Sequence, residues 1–202
     1  CGFCAVDTRK PMELETDEPD RVAEATRRMK LRHIVITAVA RDDLPDGGAT
    51  HFQRVIERVR EVNPGMVVEV LTPDFQNDDT AIDTVLAARP EIFNHNLETV
   101  RRLTPGVRSV ATYDRSLAVL RKVKERAPKI YTKSGLMLGL GETIDELHEA
   151  LADLRAAGCD LLTLGQYLQP TKKHLPVLEF IHPNQFAEYK KTAEAMGFTH
   201  VA

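Results

Sequence analysis

An α/β fold of parallel strands joined by right-handed crossovers is predicted by three features of this 202-residue chain. Short, almost continuous apolar runs alternate with stretches whose apolar residues recur at helical spacing. The strand–helix unit repeats about every 30 residues, the length of a βαβ motif. Polar residues collect immediately after the strands, the face on which α/β barrels place their active sites, which narrows the choice between a doubly wound sheet and a barrel toward the barrel.

The elements can be justified in order. An early helix covers Val22 to Lys30, and Ile34 to Val39 is an apolar run expected to form a strand buried on both faces. Phe52, Val55, Ile56 and Val59 then fall at i, i+3, i+4 and i+7 on one helix face, and Asn63-Pro64-Gly65 stops that helix before a strand from Met66 to Leu71. Ile82, Val85 and Leu86 mark the next helix, Ile92 to Asn94 a short strand, and Leu117, Leu120 and Val123 a further helix. Ile130 to Leu140 reads as strand and loop.

Thr143 with Glu146 has capping-box spacing, and it leads a helix whose Ile144, Leu147, Leu151 and Leu154 share a face before Gly158 ends it. Leu161 to Gly165 is the last clear strand. Pro183 suits a first helical turn, so a final helix runs through Phe186, Tyr189, Ala193 and Met196 to Gly197.

Composition excludes several function classes. Formal charge is −3 and basic residues are dispersed among acids, so no nucleic-acid surface is announced. No apolar run approaches the roughly 20 residues of a membrane span, and there is no secretory pattern. With 43% apolar residues and no low-complexity tract, the chain can bury the core of one domain, residues 1–202. Three cysteines make a poor disulfide framework, so a reducing compartment, the cytoplasm, is expected.

Those cysteines carry the sharpest signal. Cys1 and Cys4 enclose Gly2-Phe3, a spacing that lets two thiolates reach one soft metal ion or iron–sulfur cluster. Two sulfurs complete neither a zinc site nor a cubane, so zinc, a cluster or plain packing stay open on spacing alone. Cys159, at the start of the strand that runs on through Leu161 and Leu162, reads as a small buried hydrophobe.

The loops after the strands add a second layer. Thr37, Ala38 and Val39 end the first strand, and Arg41-Asp42-Asp43-Leu44-Pro45-Asp46-Gly47-Gly48 follows. Thr72-Pro73-Asp74 follows the second strand, and Asn94-His95-Asn96-Leu97-Glu98 the third. Lys133 to Glu142 and Gly165-Gln166-Tyr167-Leu168-Gln169-Pro170 complete the set, with His174-Leu175-Pro176-Val177 beyond. Together with the cysteine loop, which matches the second half of C-x3-C-x2-C, these motifs resemble the lipoyl synthase family of radical S-adenosylmethionine (SAM) enzymes along essentially the whole chain.

The resemblance implies a partial parallel (β/α)6 TIM-type barrel, with the first strand missing from this chain. It implies two [4Fe-4S] clusters in the intact protein, with Cys1 and Cys4 as ligands of the one that binds SAM. The family's first loop cysteine, its second cysteine trio and a serine that completes the auxiliary cluster fall outside these residues, so the fragment as given is expected to be inactive. The implied reaction is reductive cleavage of SAM to a 5′-deoxyadenosyl radical, followed by sulfur insertion at C6 and C8 of a protein-bound octanoyl-lysine. The implied partners are an octanoylated lipoyl carrier domain or glycine-cleavage H protein and a reducing electron donor, with no direct acid/base residue. A transit peptide ahead of the fragment would make the location organellar instead.

By the same resemblance, Thr37, Ala38 and Val39 meet the methionine amino group. Arg41 either fixes a charge of the cofactor or substrate, or is held by its own turn. Asn94, Asn96 and Glu98 bind ribose and methionine, or cap the following segment. Gly139 and Gly141 let the backbone approach adenine, Glu142 binds charge or sits at the next helix's amino end, and Gln166 and Tyr167 line the adenine pocket. Lys172, Lys173 and His174 either meet an acidic carrier surface or form an exposed basic turn. Lys133 lies early in its strand with undetermined pleat parity, and His95 reads as a core histidine. A scaffold that binds SAM or the carrier without chemistry, or that holds zinc, is the alternative reading.

Overall fold

The computed structural model describes residues 2–6 and 11–202; Cys1 and residues 7–10 lie outside the described residues. Cα proximity groups the chain into two units, residues 7–94 and residues 1–6 with 95–202. Each follows the expected strand–helix alternation.

In the 7–94 unit, α1 (Glu18–Arg28) precedes β1 (His33–Thr37), α2 (Ala49–Val62), β2 (Val67–Leu71), α3 (Asp79–Ala87) and β3 (Ile92–Asn94). β1 pairs in parallel with β2, and β2 with β3. Phe52, Val55, Ile56 and Val59 of α2 are all buried, as the helical spacing requires, and each such side chain contributes about 1.5–3 kcal/mol. Asp46 accepts from the Gly48 and Thr50 amides and so opens α2 from outside the helix. Asp78 caps α3 through the Ala81 amide.

One expectation fails in this unit. β1 is not buried on both faces: only Ile36 is buried, while Val35 is 51% and Val39 47% exposed. An apolar run reports the character of the residues, not whether anything covers them.

The second unit contains α4 (Thr104–Val107), α5 (Tyr113–Arg126), β4 (Tyr131–Leu138), α6 (Ile144–Ala156), β5 (Leu161–Gln166), α7 (Pro183–Ala195) and β6 (His200–Val201). β4 pairs in parallel with β5, and β5 with β6. Leu136, Leu138, Leu162 and Leu164 pack with Leu117, Leu120, Leu147, Leu151 and Leu154 in one buried cluster, so these strand residues are the ones facing the helices. By the two-residue pleat, Lys133, Gly135 and Met137 occupy the opposite face of β4, which fixes the parity of Lys133. Thr143 and Glu146 form the reciprocal capping box that the spacing predicts.

Two small elements escape the sequence reading. The four-residue α4 has no periodicity to detect, and β6, a strand beyond the five read from the sequence, is only two residues long. Ile144 is a further correction. It stands 52% exposed at the first position of α6, where the apolar face has not yet met the sheet.

β4, β5 and α5 are tied together by one carboxylate. Asp160 Oδ2 accepts from Lys124 Nζ at 2.6 Å, the Thr132 amide at 3.0 Å and Thr132 Oγ1 at 3.3 Å. Removing it takes the charged partner from Lys124 Nζ, which still donates to Ile130 O, and an acceptor from the Thr132 amide. Asp160→Ala is expected to lower stability by about 2–3 kcal/mol in urea denaturation, with Asn recovering part of the loss. Next to it, burial pushes the fully buried Cys159 thiol up to about 12, so it remains protonated at neutral pH. Iodoacetamide at pH 8 is expected to leave Cys159 unmodified in the folded chain and to alkylate it in urea.

Candidate functional site

The cysteine loop is held on both sides of Phe3, by main-chain hydrogen bonds at Gly2 and by a side chain at Cys4. Gly2 N donates to Val107 O at 3.0 Å, and Leu175 N donates to Gly2 O at 2.9 Å. The His174 ring meets the Cys4 carbonyl through Nε2 at 3.0 Å. Phe3 packs against a small apolar cluster made by Val107, Leu140 and Tyr167, to which Met137, Leu175 and Val177 also contribute. Tyr167 is buried to the hydroxyl, which donates to Leu175 O at 2.8 Å. The loop therefore sits beside the residues that leave the carboxyl ends of β4 and β5. Cys4 is a free thiol, partly exposed; Cys1 lies outside the described residues.

Residues 95–98 run alongside β4 and are bonded into it. His95 N donates to Lys133 O, Leu97 N to Ser134 Oγ, Glu98 N to Gly135 O, and Met137 N to Glu98 O. This ladder holds Glu98 in the left-handed region, with φ of 70°, a strain of roughly 1 kcal/mol for a residue with a side chain. Asn96 lies over Gly135, whose added Cβ would sit 2.9 Å from Asn96 Oδ1, so any other residue there would push the Asn96 side chain aside. Burial raises the Glu98 carboxyl above its ordinary range, opposed by the Arg108 charge and a hydrogen bond from Asn96. His95 points elsewhere. It is buried, with Nε2 3.0 Å from Ser116 Oγ, as a core histidine should be.

The loops after β4 and β5 are largely self-satisfied. Glu142 turns its carboxylate onto its own loop, accepting from Gly139 N at 2.6 Å and Leu140 N at 3.0 Å. Gly139 has φ of 97°, and a Cβ there would strike the Glu179 carbonyl at 2.3 Å; its own carbonyl accepts from Leu178 N and Glu179 N. Gly141, also at positive φ, offers its carbonyl to Arg102, which also pairs with Glu146. The Gln166 amide donates to Leu138 O, Tyr167 O and Glu179 O and accepts from Ile181 N. Gly139 and Gln166 thus clamp the chain's own segment 178–181, while Glu142 and Gly141 are taken up by the loop itself and by Arg102. Gly165, on the pleat face opposite Leu162 and Leu164, has open space where a side chain would be.

In the 7–94 unit, Thr37 Oγ1 donates to Leu71 O, and Ala38 and Val39 are exposed just past the end of β1. Arg41 is committed to a two-pronged pair with Asp43, both contacts at 2.8 Å, inside a turn closed by Leu44 N donating to Arg41 O. Asn94 ends β3 buried, its Nδ2 3.3 Å from Glu69 Oε1 and its Oδ1 without a protein partner.

Sequence reasoning missed Arg108, Ser134 and the gripping role of residues 174–175. Gly135 inside a strand pattern was the available signal, since an interior strand glycine marks a close approach. Arg108 carries no such signal. Among the described residues no group of three or more His, Cys, Asp or Glu side chains is placed to hold a metal ion.

Comparison with known proteins places this geometry. The radical SAM superfamily model matches residues 1–164. The lipoyl synthase of Caldicellulosiruptor saccharolyticus is 55% identical over 201 residues, covering 100% of this chain and 70% of the relative. That of Rubrobacter xylanophilus is 56% identical, covering 100% of this chain and 63% of the relative. The chain thus spans about two thirds of the length of the curated relatives it matches. Among solved structures, Streptococcus suis SuiB bound to precursor peptide SuiA matches 100% of this chain and 45% of its own, with TM-score 0.74 and 11% identity. Escherichia coli coproporphyrinogen III oxidase (HemN), a radical SAM enzyme, matches 97% and 49%, with TM-score 0.62 and 16% identity. At such identities these two speak for the α/β fold alone. A superfamily match over most of the chain, with more than half of its residues shared with curated relatives from end to end, places the chain in the lipoyl synthase family of radical SAM enzymes.

Proposed function

We propose that this chain is the cofactor-binding core of an enzyme that inserts sulfur at C6 and C8 of an octanoyl chain amide-linked to a lysine of a lipoyl carrier domain or H protein. The observation that carries the reading is the seating of Phe3 beside Tyr167 and Leu140 and of the Cys4 carbonyl on His174, which brings a free thiol beside the strand ends of β4 and β5. The donor chemistry fits. A thiol on a loop with anchored backbone and unengaged sulfur is what an iron–sulfur ligand requires, and Cys1 and Cys4 would hold the SAM-binding cluster. When bound, that cluster supplies the electron that cleaves SAM reductively. The intact protein would carry a second, auxiliary cluster as the sulfur source, and an external donor would deliver the electrons.

The chain's own residues then bind and orient. Asn96 and Glu98 offer an amide and a carboxylate at one strand end, in the spacing and strained backbone that a preorganised polyol site needs, and they are assigned to the ribose. Gly165 leaves room for a flat ring to approach the β5 backbone, with Tyr167 behind it. Gly139 and Gln166 act one step removed, by holding segment 178–181 in place, and Glu142 and Gly141 by fixing the loop after β4. In the 7–94 unit, the backbone of the exposed Thr37, Ala38 and Val39 keeps its assignment to the methionine amino group and Asn94 its assignment to ribose and methionine, while Arg41 shapes its own loop through Asp43.

Two outcomes follow for the full-length protein reconstituted anaerobically with iron and sulfide. Cys4→Ala should lose about four iron atoms per chain relative to wild type and bring reductive SAM cleavage to background. A wild-type protein that takes up zinc and no cubane would sink the enzyme reading in favour of a scaffold. Glu98→Gly should weaken SAM binding roughly tenfold in equilibrium dialysis while stability in urea stays within about 1 kcal/mol of wild type, because the lost carboxylate removes a contact and glycine removes the strain.

A further inference from the structure

We propose that His174 is a positioning residue for the cysteine loop: its ring clamps the Cys4 carbonyl, with Thr171 fixing the tautomer, and so sets where the Cys4 sulfur stands. The proposal rests on Cys4 being a cluster ligand and goes beyond that reading in naming what holds it.

The hydrogen-bond roles are determined by chemistry. A carbonyl oxygen can only accept, so His174 Nε2, 3.0 Å from Cys4 O, must carry a proton. In the neutral ring Nδ1 is then the acceptor, and Thr171 Oγ1, 2.9 Å away, donates to it. The same hydroxyl oxygen accepts from Lys173 N at 3.3 Å, and His174 N donates to Thr171 O at 3.0 Å, closing the turn on which the ring is carried. Gln169 Nε2 donates to His174 O at 2.7 Å from the other side. The ring is thereby held at both nitrogens and the backbone at both ends.

The clamp also has a partner. Leu175, the next residue, donates its amide to Gly2 O, while Tyr167 donates to the Leu175 carbonyl. Two consecutive residues of the segment after β5 thus hold the carbonyls of Gly2 and Cys4, on either side of Phe3. Fixing the peptide plane that follows Cys4, together with the plane that precedes Phe3, leaves the Cα–Cβ bond of Cys4 little freedom of direction. A thiolate that wanders by an ångström would meet its iron off-geometry.

The test uses the full-length protein, reconstituted anaerobically with iron and sulfide, and compares wild type with His174→Ala, His174→Gln and Thr171→Val. The readouts are the rate of iron loss to a chelator, the change in the reduced-cluster EPR signal on adding SAM, which isolates the cluster that binds SAM, and hydrogen exchange at the amides of residues 2–6. His174→Ala is expected to lose that cluster roughly tenfold faster and to exchange roughly tenfold faster at residues 2–6. Glutamine, whose amide N–H can reach the same carbonyl, should restore both to within about threefold of wild type, and Thr171→Val should show an intermediate effect.

The failures are separable. A wild type that binds no cluster overturns the reading of Cys4 itself. A wild type that loads normally, with His174→Ala matching it in all three readouts, overturns the clamp alone. Glutamine behaving like alanine overturns the hydrogen-bond account, and if alanine prevents folding, glutamine and Thr171→Val decide the matter between them.

Discussion

The loop of Gly2, Phe3 and Cys4 has no regular secondary structure of its own, so its geometry has to be borrowed from a neighbour that is already rigid. Here that neighbour is the stretch that leaves β5. The Tyr167 hydroxyl holds the Leu175 carbonyl, the Leu175 amide holds Gly2, and His174 holds Cys4. Phe3 adds the apolar part, seated among Val107, Leu140 and Tyr167. Without that platform the Gly2 and Cys4 carbonyls would turn to water and the intervening residues would sample many conformers, at a cost of roughly 1–2 kcal/mol per residue to order them again on binding.

The same economy explains why so many of the polar residues at the strand ends face inward on the protein. Glu142, Gln166 and Arg41 each look, in sequence, like ligands for a charged cofactor. Each instead satisfies backbone or a neighbouring side chain: Glu142 the Gly139 and Leu140 amides, Gln166 the 179–181 segment, Arg41 the Asp43 carboxylate. Loops at the carboxyl ends of strands expose many main-chain donors and acceptors, and the residues nearest to them are taken up in pairing those groups. Within residues 2–6 and 95–202, what these bonds leave open is narrower and includes Asn96, Glu98, the open side of Gly165 and the half-exposed Cys4.

How much of this was legible in the sequence differs by level. Helices with a long apolar stripe, such as the one bearing Phe52, Val55, Ile56 and Val59, and the capping box at Thr143 and Glu146, are local patterns and were readable as such. The exposure of Val35 was not, because coverage of a strand depends on what lies beyond the strand. Elements of two to four residues, β6 and α4, are shorter than any period. In the site, residue types at strand ends could be picked out, but not which had been claimed by the protein's own backbone: nothing in the Gly139 codon neighbourhood announces that Glu179, forty residues on, fills its open side. Arg108 was invisible for the same reason, as its meaning lies in facing Glu98 and Ser116 after folding.

Glu98 shows how such distant constraints converge on one atom group. Its backbone is pulled into the left-handed region because its amide and carbonyl are both spent on β4, on Gly135 O and Met137 N. That twist turns the carboxylate back toward Asn96, and Asn96 can lie where it does only because position 135 lacks a Cβ. Burial then raises the carboxyl above its usual range, and the charge of Arg108 opposes the rise. The strain is therefore best understood as the consequence of aiming that group: relaxing φ would free about 1 kcal/mol and turn the carboxyl away from the Asn96 amide.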